Sequence, residues 1–404
     1  MKIPFSPPYI DEYVEAEVID SLRSGWITTG PKVLALQQEV SAYCDVTHTL
    51  CVNSATSGMM LALHWFGIGP GDEVIVPAYT YCATALTVMH LGAKPIIVDV
   101  GDDFCISIKA IKNAISPRTK AIMPVDFAGF PCDYDSILEL VENSDVKNIF
   151  SPNCQNQRLL GRPLILSDAA HSFGAKYKGR MTGKLADLSV FSFHAVKNLT
   201  TAEGGAICIN LPAAFNNQDV YSTLKLWSLN GQTKDAFTKS QAGGWKYDIV
   251  YQGFKINMPD ICAAIGLAQI KQYQNVLLKK RNEIYDYYSQ KLSAFNWALV
   301  PKRVTENAEG CGHLYPLRIK NCSEENRDRI IEGLAKLEIA TNVHFIPLPL
   351  LTVFKEQGFK IENTPVAHSL YVNEISLPIY PQLNHEMIDY LVNQLSLLID
   401  EIHR

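Results

Sequence analysis

Short apolar runs alternate with helical patterns through the first half of the chain. Strands are predicted over residues 48–52, 73–76, 94–99 and 121–126, and helices over residues 82–91 and 133–140. This strand–helix–strand order favours a mostly parallel sheet that is covered by helices. With 404 residues, the chain is long enough for two domains.

Composition excludes several classes of protein. Apolar residues make up 47% and charged residues 19% of the chain, which is typical of a globular protein with a sizeable core. The net charge of -5 argues against a nucleic-acid partner. None of the ten cysteines forms a CxxC pair, so we predict reduced thiols and no metal site. No signal peptide or membrane span is apparent, and a cytoplasmic protein is expected.

The stretch SVFSFHAVKNLTTAEGG, residues 189–205, sets one lysine, Lys197, just after a predicted buried strand. A lysine in such a place can extend to solvent. It can also be held with a lowered pKa and used as an amine nucleophile. Composition alone favours the first outcome, and the rest of the chain favours the second.

Three further segments carry polar groups at the ends of predicted strands. In NSATSG, residues 53–58, small residues open a helix whose free N–H groups could bind an anion or simply be capped. Tyr81 and Asp168 each follow a strand, where ligands of parallel sheets bind. Asp168 could cap a helix, or it could lie under a cationic ring nitrogen. Pyridoxal phosphate requires a lysine, a carboxylate and backbone N–H donors in this arrangement.

The remaining pattern completes the predicted organisation. Helices are expected over residues 12–24, 34–44, 221–229, 324–337 and 384–402, and a long one from residue 260 toward residue 292. Strands are expected near residues 311–319 and 341–345. Residues 143–162 are polar and are predicted to be an irregular inserted loop, and residues 239–260 a long Gly- and Tyr-rich loop. We therefore expect a large domain, residues 1–250, with an N-terminal arm, and a smaller C-terminal α/β domain, residues 251–404.

Five segments in a fixed order carry a family resemblance. NSATSG, PAYTYCAT, SDAAHSFG, FSFHAVKNLTTAEGG and GFKINMPDICAAIGLAQ together resemble the DegT/DnrJ/EryC1/StrS family of nucleotide-sugar aminotransferases. The likeness covers nearly the whole chain. SGWITTGPK and SFHAVKN are most similar to members that aminate C4 of UDP-4-keto sugars, such as the UDP-4-amino-4-deoxy-arabinose aminotransferase.

The resemblance implies a fold, a cofactor and a set of roles. The fold would be the type I (aspartate aminotransferase-like) fold of pyridoxal phosphate-dependent transferases, working as a homodimer with shared active sites. Lys197 would carry the cofactor as a Schiff base, Asp168 would pair with its ring nitrogen, and His171 would lie near its 3-oxygen. The other implied cofactor contacts are Thr56, Ser57, Tyr81, Ser192 and, in the partner subunit's site, Asn257. Thr28, His194, His313 and His344 are implied to contact the sugar or its diphosphate.

The expected reaction moves the amino group of L-glutamate to a nucleotide-linked keto sugar for surface polysaccharide or glycoconjugate synthesis. A dTDP-3-keto or GDP-4-keto sugar is an alternative substrate. A family member that dehydrates its sugar would have histidine in place of Lys197. A non-catalytic regulator would need a DNA-binding element, which the sequence lacks. One departure concerns Asp126, which stands where the family usually has histidine and is expected to change the charge near the sugar.

Overall fold

A computed structural model describes residues 1–234 and 245–402. Its helices are α1 (Glu12–Arg23), α2 (Pro31–Cys44), α3 (Ala55–Trp65), α4 (Ala83–His90), α5 (Ile108–Ala114), α6 (Tyr134–Glu142), α7 (Ser144–Ile149), α8 (Gln155–Leu160), α9 (Asn217–Trp227), α10 (Asp260–Gln272), α11 (Lys279–Leu292), α12 (Glu324–Lys336), α13 (Thr352–Glu356), α14 (Pro365–Tyr371) and α15 (His385–Ile402). Its strands are β1 (His48–Val52), β2 (Glu73–Pro77), β3 (Lys94–Val98), β4 (Thr119–Ile122), β5 (Leu164–Asp168), β6 (Lys176–Tyr177), β7 (Arg180–Met181), β8 (Leu188–Ser192), β9 (Gly205–Ile209), β10 (Ala298–Leu299), β11 (Ala308–Glu309), β12 (Tyr315–Ile319) and β13 (Glu374–Leu377).

A seven-stranded sheet forms the centre of the molecule, in the order β1-β9-β8-β5-β4-β2-β3. The pairs from β8 through β5, β4 and β2 to β3 are parallel, whereas β9 runs antiparallel to both β8 and β1. Residues of β2, β4, β5 and β9 are all buried, because helices cover both faces of the sheet. The predicted mostly parallel α/β fold is confirmed. The carboxyl ends of β2, β4, β5 and β8 meet at one edge.

A second unit packs around the three-stranded antiparallel sheet β10-β12-β13. In its core, apolar residues of α11, α12 and α15 pack against that sheet. The same core contains Ile3 from the start of the chain. Ile3 forms a parallel bridge with Ile339. We propose that the chain divides near residue 250, as the sequence predicts, with the first residues of the arm attached to the C-terminal unit.

The long helix predicted after residue 260 is continuous to Leu292. It consists of α10, a π-helical segment Tyr273–Leu278, and α11. Tyr273 is fully buried at the junction, and its hydroxyl donates to the carbonyl oxygen of Phe173 at 2.5 Å. The helix therefore connects the region of the central sheet to the C-terminal unit.

Two secondary-structure predictions are wrong. Residues 143–162 contain α7 and α8, because Asn143 caps α7 and Gln157 of α8 is buried and donates to the carbonyl oxygen of Phe66 at 3.1 Å. Their polar side chains make hydrogen bonds that hold the helices in place, which a count of polar residues cannot show. Residues 341–345 form only a single bridge, Asn342 to Ser376, rather than a strand.

Three further expectations concern the Gly- and Tyr-rich loop, membrane spans and metal sites. Residues 239–244 of the predicted Gly- and Tyr-rich loop lie outside the described residues. Within residues 1–234 and 245–402, every helix is too short or too polar to cross a bilayer. The same part of the chain contains no cluster of three His, Cys, Asp or Glu side chains suited to a metal ion.

Asp260, the first residue of α10, holds the start of α2. Its side chain is buried and accepts hydrogen bonds from the backbone N–H groups of Gly30 at 2.8 Å, Val33 at 3.0 Å and Lys32 at 3.1 Å. The N-terminal N–H groups of a helix have no partner within the helix, so a carboxylate is well suited to accept from them. This contact fixes the loop that precedes α2 against the segment that precedes α10.

We expect Asp260→Ala to lower the free energy of unfolding by about 2–4 kcal/mol, because two buried N–H groups and one partly buried N–H group lose a charged acceptor. Asp260→Asn keeps one acceptor oxygen and should cost less. Urea denaturation of the three proteins provides the measurement. Indistinguishable unfolding of wild type and Asp260→Ala would contradict the anchoring role.

Candidate active site

A cavity of about 430 Å³ opens at the edge where the parallel strands end. The turn that starts α3, the turn before α4, and the ends of β5 and β8 supply one wall, and the segments around residues 313 and 344 supply the other. Nine residues predicted from the sequence line it: Thr56, Tyr81, Asp168, His171, Ser192, His194, Lys197, His313 and His344. A cleft outside the carboxyl ends of the strands is where ligands of such sheets bind.

Lys197 lies in the turn that follows β8, and its backbone N–H donates to the carbonyl oxygen of His194 at 2.9 Å. Removal of its amine from solvent lowers the pKa of Lys197 to about 8, against the opposing effect of the Asp168 carboxylate. Near neutral pH, an amine with this pKa has a much larger neutral, nucleophilic fraction than an ordinary lysine has.

Asp168 is the last residue of β5 and is buried. Its Oδ2 accepts a hydrogen bond from Thr84 Oγ1 at 2.7 Å, and its Oδ1 accepts from the Ala170 N–H at 3.2 Å. Burial raises the pKa of Asp168, and the Thr84 and Ala170 hydrogen bonds and the Lys197 charge oppose that rise. A buried carboxylate of this kind would gain from a cationic partner in the cavity.

The start of α3 presents backbone N–H groups to the cavity. Ser54 caps the helix by accepting from the Ser57 N–H at 3.1 Å, so that N–H already has an acceptor in this structure. Ala55 and Thr56 belong to the first turn, where N–H groups have no acceptor within the helix. A Cβ atom on Gly205 would lie 2.7 Å from the Ala55 nitrogen, so a glycine is needed for this close approach. The turn can accommodate an anion such as a phosphate.

His171 and His313 form the deep end of the cavity, with ring centroids 4.3 Å apart. Burial lowers the pKa of both imidazoles well below the usual value, and the nearby Lys197 charge adds to the effect. Within the described residues, His171 Nδ1 is buried without a hydrogen-bond partner. A buried polar atom without a partner at a cavity wall is suited to a ligand atom.

Three predicted residues do not line the cavity. Ser57 lies in the first turn of α3, one residue beyond the wall. Asn257 lines a different, smaller cleft, and its amide donates to Thr29 Oγ1 at 2.6 Å. Thr28 lies near the same cleft, because the carbonyl oxygen of Thr28 accepts a hydrogen bond from the Asp260 N–H at 3.2 Å. Thr28 and Asn257 are thus close to each other and apart from the cavity of their own chain.

The expectation that Asp126 alters the charge near the sugar is wrong. Asp126 is fully buried and absent from the cavity wall. Its carboxylate accepts from Ser172 Oγ at 2.7 Å, Tyr134 OH at 2.8 Å and the Cys132 N–H at 3.0 Å. Its own N–H donates to the Asp168 carbonyl oxygen at 3.2 Å. Asp126 therefore lies beneath the cavity wall and stabilises the end of β5 through its hydrogen bond to Asp168.

Sequence reasoning missed several groups that complete the site. Thr84, which donates a hydrogen bond to Asp168, lies in the first turn of α4, and the PAYTYCAT segment contains it. The N-terminal arm contributes Phe5, which stacks on His344 with ring centroids 5.5 Å apart. Asn198 directly follows the lysine and holds His313 at 2.9 Å. Neither spacing nor composition links these residues, because their contacts are created by the fold.

The residues present fit pyridoxal phosphate. The cavity combines an amine of lowered pKa, a buried carboxylate, a helix start that can bind a phosphate, and an imidazole nitrogen without a partner. These are the groups required for the aldehyde, the ring nitrogen and the phosphate of that cofactor.

Comparison with known proteins gives the same assignment. Residues 8–396 match the model of the DegT/DnrJ/EryC1/StrS aminotransferase family. The chain is 34% identical to the spore coat polysaccharide biosynthesis protein SpsC of Bacillus subtilis, over 96% of this chain and 95% of SpsC. It is 33% identical to the UDP-4-amino-4-deoxy-L-arabinose–oxoglutarate aminotransferase of Shewanella sediminis, over 98% of each.

A solved structure extends the comparison to the fold. The PMP (pyridoxamine phosphate) form of Spr1654 from Streptococcus pneumoniae, a candidate sugar aminotransferase, superposes with a TM-score of 0.95 at 43% identity, over 99% of this chain and 100% of that one. The PLP (pyridoxal phosphate) form of Spr1654 gives a TM-score of 0.94. The fold is that of the pyridoxal phosphate-dependent aminotransferases, and the cofactor is pyridoxal phosphate.

In the cofactor-free protein, the rate at which a small neutral reagent acylates Lys197 should rise with pH and level off above about pH 8. An ordinary lysine would level off only above about 10.5. Between those values the unfolded chain binds one more proton, so the free energy of unfolding also rises with pH there. Peptide mass spectrometry provides the rates. Lys32 is an internal control: burial favours a lower pKa, but hydrogen bonds to Asp20 and Glu17 outweigh burial and raise it. Parallel pH profiles for the two lysines would contradict the assignment.

Proposed function

Because this chain belongs to the DegT/DnrJ/EryC1/StrS aminotransferase family, we propose that it transfers the amino group of L-glutamate to a nucleotide-linked keto sugar. The observation that carries the proposal is the lowered-pKa amine of Lys197 beside buried Asp168, at the carboxyl edge of the sheet. We favour C4 of a UDP-4-keto-6-deoxy hexose or UDP-4-keto pentose as the acceptor. The name of the Shewanella relative, at 33% identity over nearly the full length, supports this choice.

The protein's own residues would act in a defined order. When bound, pyridoxal phosphate supplies the electrophilic carbon and the electron-accepting ring. Lys197 would hold the cofactor through Nζ, and Asp168 would keep the ring nitrogen protonated. The start of α3 and Ser192 would bind the phosphate, and His171 would bind the ring oxygen. Once glutamate has displaced it, Lys197 Nζ would take the proton from the glutamate Cα and later return it as an acid.

A biological role is supported by one of the relatives, and a cellular location is supported by the cysteines. The named role of SpsC supports a place in surface polysaccharide synthesis. All ten cysteines are free, which is common in reducing compartments and supports a cytoplasmic location.

Assembly as a homodimer with shared sites is part of the proposal. Exposed apolar side chains cluster along α1, α2 and the loop between them, and a second copy could cover them: Tyr13, Ile19, Leu22, Ile27 and Leu34. Asn257 and Thr28 lie apart from the cavity of their own chain, which supports their use in the partner's cavity.

Replacement of Lys197 with alanine should abolish turnover, since proton transfer by a positioned base contributes ~10²–10⁴-fold and the cofactor also loses its attachment. The measurement is the visible spectrum of the protein with pyridoxal phosphate, before and after L-glutamate is added. Glutamate should convert the spectrum to that of free pyridoxamine phosphate in wild type only. Robust conversion by Lys197→Ala would refute the role of the lysine.

A panel of UDP-, dTDP- and GDP-linked keto sugars, each with glutamate, tests the acceptor. We expect the UDP-4-keto sugars to give the highest kcat/KM, and mass spectrometry of the product identifies the aminated carbon. Exclusive use of a dTDP-3-keto sugar would overturn the C4 choice and leave the aminotransferase assignment in place.

Mixing two variants tests the shared site. Lys197→Ala and Asn257→Ala subunits should each be weak at limiting cofactor. A mixed dimer then carries one intact site, so random exchange should restore about a quarter of wild-type activity. If activity does not increase on mixing, Asn257 serves its own chain or none.

A further inference from the structure

His344 is joined to a buried carboxylate through a single hydroxyl group. His344 Nδ1 lies 2.9 Å from Ser376 Oγ, and Ser376 Oγ donates to Glu374 Oε1 at 2.5 Å. The second carboxylate oxygen, Glu374 Oε2, accepts the backbone N–H of His344 at 3.1 Å. Glu374 and Ser376 are both fully buried on β13, whereas His344 lines the cavity.

The Ser376 hydroxyl group links the protonation state of Glu374 to the tautomer of His344. When Glu374 is a carboxylate, the single Ser376 proton points to Glu374, so the Ser376 oxygen accepts from His344 Nδ1–H and the Nε2 atom has a free lone pair. When Glu374 is protonated, Oε1 donates to Ser376 and Ser376 donates to His344 Nδ1. The imidazole proton then resides on Nε2. The imidazole is neutral in both states.

His313 provides a contrast within the same cavity. Asn198 Nδ2 donates to the carbonyl oxygen of Cys311 at 3.0 Å, which fixes the amide so that its Oδ1 faces His313 Nδ1 at 2.9 Å. An amide oxygen can only accept, so His313 Nδ1 must carry the proton. Nothing in this arrangement allows the proton to change position, and His313 Nε2 remains an acceptor.

We infer that His344, Ser376 and Glu374 form a proton relay, in which a proton that enters at His344 Nε2 neutralises Glu374 without leaving an imidazolium. Each transfer balances: Nε2 gains a proton, Nδ1 passes its proton to Ser376, and Ser376 passes its own to Glu374. His344 would touch the substrate, and Glu374 and Ser376 are positioning residues that act through it.

The surrounding charges support this reading. Burial raises the pKa of Glu374 to about 8, with Ser376, the His344 N–H and the Arg327 charge acting against it. Burial lowers the pKa of His344 to about 4, and Lys197 contributes to the effect. Burial raises the pKa of the neighbouring Tyr79, and the Glu374 charge raises it further, so Tyr79 stays neutral. Within this group, Glu374 is therefore the residue that becomes neutral on taking up a proton near pH 8.

The relay gives His344 two hydrogen-bonding forms, and this use rests on the proposed function. A keto sugar presents an oxygen at the reacting carbon, which needs a donor, whereas the product presents an amine, which needs an acceptor. Nε2–H serves the first and the Nε2 lone pair serves the second. Neither form carries a positive charge, so we assign His344 to the reacting end of the sugar rather than to its diphosphate.

Glutamine at position 374 gives a sharp test of the geometry. The His344 N–H requires the amide oxygen at the Oε2 position, so the amide NH₂ occupies the Oε1 position and donates to Ser376. Glu374→Gln should therefore lock His344 as the Nε2–H form at every pH. Exposed Glu386, on α15 in the same C-terminal unit, provides the matched control Glu386→Gln.

The tautomers can be observed directly by ¹⁵N NMR of the ¹⁵N-histidine-labelled holoenzyme, with the resonances assigned by single histidine replacements. From about pH 6 to about pH 10, we expect His344 to change from Nε2–H to Nδ1–H in wild type and in Glu386→Gln, and to stay Nε2–H in Glu374→Gln. His313 should remain Nδ1–H in all three, which also reports correct folding. An unchanging His344 in wild type, or a titrating one in Glu374→Gln, would overturn the inference.

Kinetics give a second readout. Ser376→Ala should lower kcat/KM for the keto sugar by ~10-fold, the usual effect of one lost hydrogen bond, and leave the glutamate half-reaction within about twofold. Glu374→Gln should remove the step near pH 8 from the pH profile of the sugar half-reaction. Equal losses in both half-reactions would show a structural role only. If wild type does not react with glutamate, the proposed function fails while the tautomers still test the relay.

Discussion

The structure depends on placing an amine and a carboxylate together where water is largely excluded. Burial alone would make Lys197 and Asp168 neutral, and each favours the charge of the other. The fold resolves this conflict by giving Asp168 two hydrogen bonds, from Thr84 and Ala170, whereas within residues 1–234 and 245–402 the amine has no hydrogen bond. The carboxylate is therefore supported as an anion, and the lysine is left as a nucleophile.

The rest of the cavity adds polar atoms with little charge. His171, His313 and His344 all have pKa values lowered by burial, so they enter the site as neutral groups. Their hydrogen-bonding partners determine whether each donates or accepts. Neutral imidazoles near Lys197 also avoid a second cation that would lower its pKa further. Recognition in this cavity is thus based on the direction of hydrogen bonds.

The sequence was sufficient for the fold class and for most of the cavity wall, because both follow from local patterns. A strand that ends in Asp168 or in the turn before Lys197 has its side chains at the carboxyl edge, whatever the tertiary detail. Asp126 and Glu374 were different. One was expected near the sugar and lies behind β5, and the other gave no signal at all. Partners such as Tyr134 and Ser376 come from packing, which periodicity does not encode. The same limit applies to α8, where Asn156 and Gln157 donate to the carbonyl oxygens of Trp65 and Phe66 at the end of α3.

The N-terminal arm connects parts of the molecule that are far apart in sequence. Ile3 is hydrogen bonded on both sides to the C-terminal unit, through Glu338 and Ala340. Two residues later, Phe5 stacks on His344, and Ser6 Oγ donates to the carbonyl oxygen of Val196, beside the lysine. The beginning of the chain is consequently part of the cavity wall. A substitution at Phe5 or Ser6 would therefore act directly on the cavity wall, although these residues are about 190 positions before the lysine in the sequence.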